Sequence, residues 1–130
     1  MIVADASVLI DYLLGMELPQ DVVALLEDPG TARSAPEVMD LEVMSGLRQL
    51  MLAGRLAPAR AAEAVLTCAE LRIRRHSHGS LLDRIWELRH NLTPYDAAYL
   101  ALAEALDGEL ITRDAAFRRI RLKSGRVRVV

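Results

Sequence analysis

The sequence predicts an α/β protein, a three-layer α/β/α sandwich built on a short parallel sheet. Short apolar runs such as Ile2-Val3-Ala4 and Leu110-Ile111-Thr112 alternate with longer stretches whose apolar residues recur at helical spacing. Strands separated by helices favour parallel pairing with helices on both faces. Turn-formers fall between the runs: Gly15, Asp28-Pro29-Gly30, Gly54 and Asp107-Gly108.

Ile2 to Ala4 reads as the first strand, followed by a helix from about Ser7 to Leu14 that stops at Gly15. Pro19 can start a second helix, with Val22, Val23, Leu25 and Leu26 as its apolar positions. Thr31 to Ala35 is a second strand, and Pro36 takes a first helical position in a helix that continues to Ala53. The next helix starts near Pro58 and carries Ala62, Val65, Leu66 and Ala69. Leu71 to Arg74 alternates as a third strand, and Ser80 to His90 is helical. Thr93 opens a helix through Leu106, with Pro94 at its first position. Glu109 to Thr112 is a strand, Asp114 to Arg119 a short helix, and Val127 to Val130 a terminal strand. No linker, repeat or low-complexity stretch interrupts the series, so residues 1–130 read as a single domain.

Composition narrows the function. With 52% hydrophobic and 26% charged residues the chain is globular. Aromatics at 4% argue against a stacking platform for single-stranded bases. The single Cys68 excludes a disulfide framework and a cysteine zinc site, and suits a small buried hydrophobe in a reducing compartment. No run reaches the ~20 apolar residues of a membrane span, and a basic leader is lacking, so a cytoplasmic location is expected. The net charge of −2 conceals an asymmetry. Residues 1–50 carry nine acidic side chains against Arg33 and Arg48, whereas seven basic residues between Arg113 and Arg128 oppose Asp114 alone. Such a basic strip can be a solvated surface or a grip for a polyanion.

Asp5 poses the sharpest question, because a carboxylate where a buried strand meets a helix is costly unless it caps, pairs or binds a cation. In an open parallel sheet the ligand rim lies beyond the carboxyl ends of the strands. Asp5 and Asp114 follow strand ends, and Asp96 occupies the first turn of the helix leading into the strand before Asp114. Glu42 lies about a turn into the third helix, where Ser45 and Gly46 are small enough to leave a cleft. Each acid has a structural alternative: Asp5, Asp96 and Asp114 suit helix N-termini, and Glu42 can be solvent-exposed. Four carboxylates on one rim repel one another, and bound cations are the natural compensation. Oxygen donors alone select hard cations such as Mg²⁺ or Mn²⁺. His76 and His78 are poorly spaced for zinc, and His90 suits a helix end.

These residues resemble a known family. V-A-D-A-S at the start, L-E-V-M-S-G-L-R in the third helix, and Y-D-A-A-Y-L-A-L-A-E followed by L-I-T-R-D-A-A-F look like a PIN-domain ribonuclease, in particular the VapC toxins of bacterial VapBC pairs. The resemblance covers essentially the whole chain. It implies a PIN-like sandwich in which Asp5, Glu42, Asp96 and Asp114 form an acidic quartet, with Ser7 and Thr112 in support. It further implies Mg²⁺-dependent cleavage of RNA within the strand, a homodimer, and a VapB-like antitoxin that covers the cleft and binds operator DNA. Ser45 stands where Asn is common in the family. Arg113, Arg118 and Arg119 are candidates for phosphate contacts near the cleft. With no histidine pair placed for 2′-hydroxyl chemistry, the expected products carry a 5′-phosphate and a 3′-hydroxyl.

Three other readings meet the same residues. A dehalogenase-type phosphatase needs a second Asp two residues after the first, where Ser7 stands. A phosphoacceptor domain wants a lysine after a late strand, and the sole Lys123 has no matching strand before it. A catalytically silent binding module would keep the fold and use the acids only to hold a partner.

Overall fold

The computed structural model describes residues 1–130. Five parallel strands form one sheet in the order β3-β2-β1-β4-β5, comprising β1 (Ile2–Ala4), β2 (Arg33–Pro36), β3 (Arg74–His76), β4 (Glu109–Thr112) and β5 (Arg126–Val129). Six α-helices join them: α1 (Ala6–Leu13), α2 (Gln20–Glu27), α3 (Val38–Leu52), α4 (Pro58–Glu70), α5 (Leu82–Glu87) and α6 (Pro94–Ala105). Short 3₁₀ turns cover Gly79–Leu81 and Ala115–Arg119. Helices α1, α3 and α4 pack against one another as one layer, while α6, with α5 beside it, lies on β1, β2 and β4 as the other. This is the expected three-layer α/β/α sandwich. No helix is long and apolar enough to cross a membrane.

The central strand β1 is buried on every residue and pairs with β4 through Ile2–Glu109, Val3–Leu110 and Ala4–Ile111. Continuous apolar runs suit strands covered on both faces. Helix α6 is buried without a break from Ala97 to Ala103, its alanines letting the backbone sit close to the sheet. Its first turn emerges at the carboxyl rim of the strands, held by the Thr93 hydroxyl, which accepts the Asp96 amide at 3.2 Å, and by Pro94 at the first position. Sheet and helix thereby deliver their polar ends to the same edge.

Four local expectations are corrected. Pro36 ends β2 instead of opening α3. The pairing of β1 with β2 stops at Ser34, so the missing amide costs no bond on that side, and Pro36 aligns with His76 on the other. The third strand starts at Arg74, three residues later than the alternation suggested. The Arg75 guanidinium donates to the carbonyls of Cys68, Leu71 and Ile73 and to the Asp40 carboxylate at 2.7 Å, folding residues 71–73 into a turn. The segment from Ser80 to His90 divides into a 3₁₀ turn and the six-residue α5. On α4 the buried stripe is Ala61, Ala64 and Cys68, whereas Leu66 is 68% exposed. Ala61, Ala64 and Cys68 form the inward face of α4, Val65 is partly buried against the core, and Leu66 is left outside.

Candidate active site

Asp5 terminates β1, and its amide still donates to the Ile111 carbonyl of β4 at 3.0 Å. The side chain is only 6% exposed and makes no capping bond to α1. Two hydroxyls converge instead on one carboxylate oxygen: Thr112 donates to Asp5 Oδ2 at 2.6 Å and Ser7 donates to the same atom at 2.9 Å. Each hydroxyl also accepts a backbone amide from the exit of β4, Thr112 from Asp114 at 3.1 Å and Ser7 from Arg113 at 3.3 Å. The hydroxyl protons are thus directed at Asp5, and its second oxygen accepts no hydrogen bond within the chain. Substituting Thr112 with valine keeps the shape but deletes one donor to a buried carboxylate and strands the Asp114 amide. We expect a loss of about 1–3 kcal/mol in urea unfolding.

An open cleft of about 380 Å³ is lined by Asp5, Ser7, Ile10, Glu42, Asp96, Arg113 and Asp114. All four acids therefore face one space. Asp114 also caps the following turn, accepting the Ala116 amide at 2.8 Å. Glu42 is the most perturbed of the four. Burial, and then repulsion from Asp5 and Asp96, push its carboxyl up to about 7. Asp96 is raised from the ordinary carboxylate range by burial and by the charges of Asp5 and Asp114.

Glu42 Oε1 is buried without a hydrogen-bond partner, and so is the Tyr99 hydroxyl. The two groups stand close enough for the Glu42 charge to push the Tyr99 phenol upward, after burial itself, yet no bond of good geometry joins them. Orphaned buried oxygens are rare in native proteins. Tyr99 was missed in the sequence, although it lies three residues after Asp96 and hence on the same face of α6.

Other expectations meet mixed geometry. Arg113 lines the cleft, but its guanidinium is held by Asp11 at 2.7 Å and by the Glu17 carbonyl at 2.6 Å. Arg118 and Arg119 are exposed in the turn after Asp114. Ser45 lies outside the cleft, on the groove between α3 and α4. Gly46 does not open the cleft; it admits Ile10, whose Cδ1 would stand 2.4 Å from an added Cβ. His76 pairs with Ser34 Oγ at 2.9 Å and joins β3 to β2.

The four acids do not form a closed cage: nowhere do three Asp, Glu, His or Cys side chains draw together closely enough to enclose an ion. The chemistry of the set nevertheless fits a hard divalent cation. Its donors are all carboxylate oxygens, one of them is orphaned, and two of the groups are pushed toward protonation by burial and then by their neighbours. A cation would relieve all three conditions at once.

A fold of this order with an acidic rim defines a class, and the PIN-domain family model matches residues 2–123. The chain is 40% identical over 114 residues to VapC ribonuclease Mb0985 of Mycobacterium bovis, covering 88% of this chain and 86% of that protein. Ribonuclease VapC9 of Mycobacterium tuberculosis matches with the same identity and coverage. Ribonuclease VapC1 of the same species is 36% identical over 115 residues, 87% of this chain and 85% of the relative. The chain belongs to the VapC family of PIN-domain proteins.

Proposed function

We propose that this chain is the toxin of a VapBC-type pair, an endoribonuclease that hydrolyses RNA phosphodiester bonds with Mg²⁺ or Mn²⁺ held by Asp5, Asp96, Asp114 and Glu42. The observation that carries the reading is the cleft itself, with four carboxylates around one space and a buried Glu42 oxygen that nothing in the chain satisfies. The names of the relatives, ribonucleases of the VapC type, support the substrate class.

In this reading Asp5 is the anchoring ligand, because Ser7 and Thr112 fix one oxygen and leave the other free for the cleft. Asp96 lines the same cleft from the capped first turn of α6. Glu42 and Asp114 complete the donor set and orient the site. When bound, the cation lowers the pKa of a water and offsets charge developing on the phosphate. Arg118 and Arg119 contact backbone phosphates, while Arg113 braces the wall through Asp11. Binding should therefore weaken as salt rises. A VapB-like antitoxin covers the cleft and carries operator DNA binding, and the toxin works as a cytoplasmic homodimer.

The test is incubation of the purified chain, freed of any partner, with total cellular RNA in Mg²⁺ and in EDTA. Discrete fragments bearing 5′-phosphates, formed only with metal, are expected. Cleavage that persists in EDTA would overturn the metal mechanism. A folded, metal-loaded chain that leaves all RNA intact would favour a silent binding module.

A further inference from the structure

We infer that Tyr99 is a positioning residue for Glu42, its buried hydroxyl being the donor that fixes the Glu42 carboxylate as a ligand when a divalent cation occupies the cleft; the inference rests on the cation reading above. Tyr99 is wholly buried, and neither its hydroxyl nor Glu42 Oε1 has a hydrogen-bond partner. Packing accounts for the ring, which is the largest fully buried side chain of the core. It does not account for the hydroxyl. Phenylalanine would fill the same space without stranding a polar atom, and a buried donor left unbonded costs stability. A hydroxyl donor and a carboxylate acceptor, both orphaned and side by side, are complementary, and native cores rarely strand either.

The fold places the pair where such a bond serves the site. Glu42 belongs to α3 and Tyr99 to α6, in opposite helical layers, and they meet beside Asp5 at the carboxyl end of β1. Both carboxylate charges bear on the phenol, Glu42 the more strongly, and the Ala6 amide at the start of α1 lies beside its oxygen. With that amide on one side, the hydroxyl proton is directed toward Glu42. Tyr99 does not line the cleft, so it reaches the site through Glu42 and touches neither substrate nor cation. Two of the other acids already have this kind of support: Thr112 and Ser7 fix Asp5, and the Ala116 amide fixes Asp114. Glu42 is the longest of the four and has the most rotamer freedom to lose, so a fixed donor matters most there. A partner behind a ligand orients it and strengthens its hold on the ion.

The test is calorimetric titration of Mg²⁺ into the purified chain, freed of any partner, as wild type, Tyr99→Phe and Glu42→Met. Near-ultraviolet difference spectra of tyrosine are recorded in parallel. Tyr99→Phe should weaken Mg²⁺ binding about 10- to 100-fold and, without metal, melt no lower than wild type. Loading the wild type should shift tyrosine absorption to the red, as donation by a phenol to a carboxylate does, and both variants should lack the shift. Unchanged affinity in Tyr99→Phe, with a wild type that binds, overturns this inference alone. So does a Tyr99→Phe chain that unfolds or melts lower without metal, which would show the hydroxyl already bonded in the core. A red shift missing from the loaded wild type, or persisting in Glu42→Met, also overturns it. A folded wild type that binds neither Mg²⁺ nor Mn²⁺ overturns it together with the cation reading.

Discussion

Asp96→Asn is expected to lower metal-dependent RNA cleavage by about 10³-fold while leaving the fold intact. The carboxylate lines the cleft with Asp5, and asparagine keeps its size while removing its charge. Even one unit charge pair ~4 Å apart is worth ~4 kcal/mol at an effective dielectric near 20, which converts to roughly 10³-fold in rate or metal affinity. The metal-free variant should at the same time melt no lower than wild type, because Asp96 is repelled by Asp5 and Asp114. Rate and stability moving in opposite directions identify a ligand. A rate loss accompanied by a lower Tm would instead mark Asp96 as part of the capping structure of α6.

The second large effect is on thermal stability as pH and metal vary. Glu42 holds its proton to about 7 when folded, above its ordinary value of 4.5. Between these values the folded chain binds more protons than the unfolded one, so stability falls as pH rises through that window and levels off above it. Solvent reaches part of this side chain, so the discounted effect is about 1 kcal/mol. A divalent cation acts in the opposite sense, adding about 2.7 kcal/mol at 100 times its Kd. The two together should make the metal-induced rise in Tm roughly 8–12 °C at pH 8 and much smaller at pH 5. Glu42→Gln should flatten the metal-free pH profile. A metal response equal at both pH values would separate cation binding from these carboxylates.

Much of the architecture was legible because it depends on local chemistry. The apolar runs of β1 and β4, the Thr93-Pro94 start of α6 and the Gly and Pro breaks each act within a few residues. The rule that strand ends share a rim then put Asp5, Asp96 and Asp114 on one edge without any coordinates. Where local signals tied, reading failed. Two apolar stripes competed on α4, and packing buried the one made of alanines and Cys68. The start of β3 depended on Arg75 reaching Asp40, 35 residues away.

Charge shows the same division. The acidic first half and the basic last segment are evident in the composition, but their pairing is not. Arg113 meets Asp11, and Arg128 meets Asp21 and Glu109, so part of the basic strip is neutralised by the acidic half. Arg118, Arg119, Arg121 and Arg126 keep the exposed character that the charge run suggested.

By itself, the sequence determined the α/β class, the alternation of elements and the rim on which the acids stand, since these follow from periodicity and chain direction. Tertiary structure alone decided what each acid meets there. Asp5 is held by hydroxyls from positions 7 and 112 and does not cap its helix, while Glu42 is buried beside an unpaired Tyr99. Both outcomes depend on residues far apart in sequence, Thr112 bonded to Asp5 and Tyr99 beside Glu42, which packing brings together and spacing does not show.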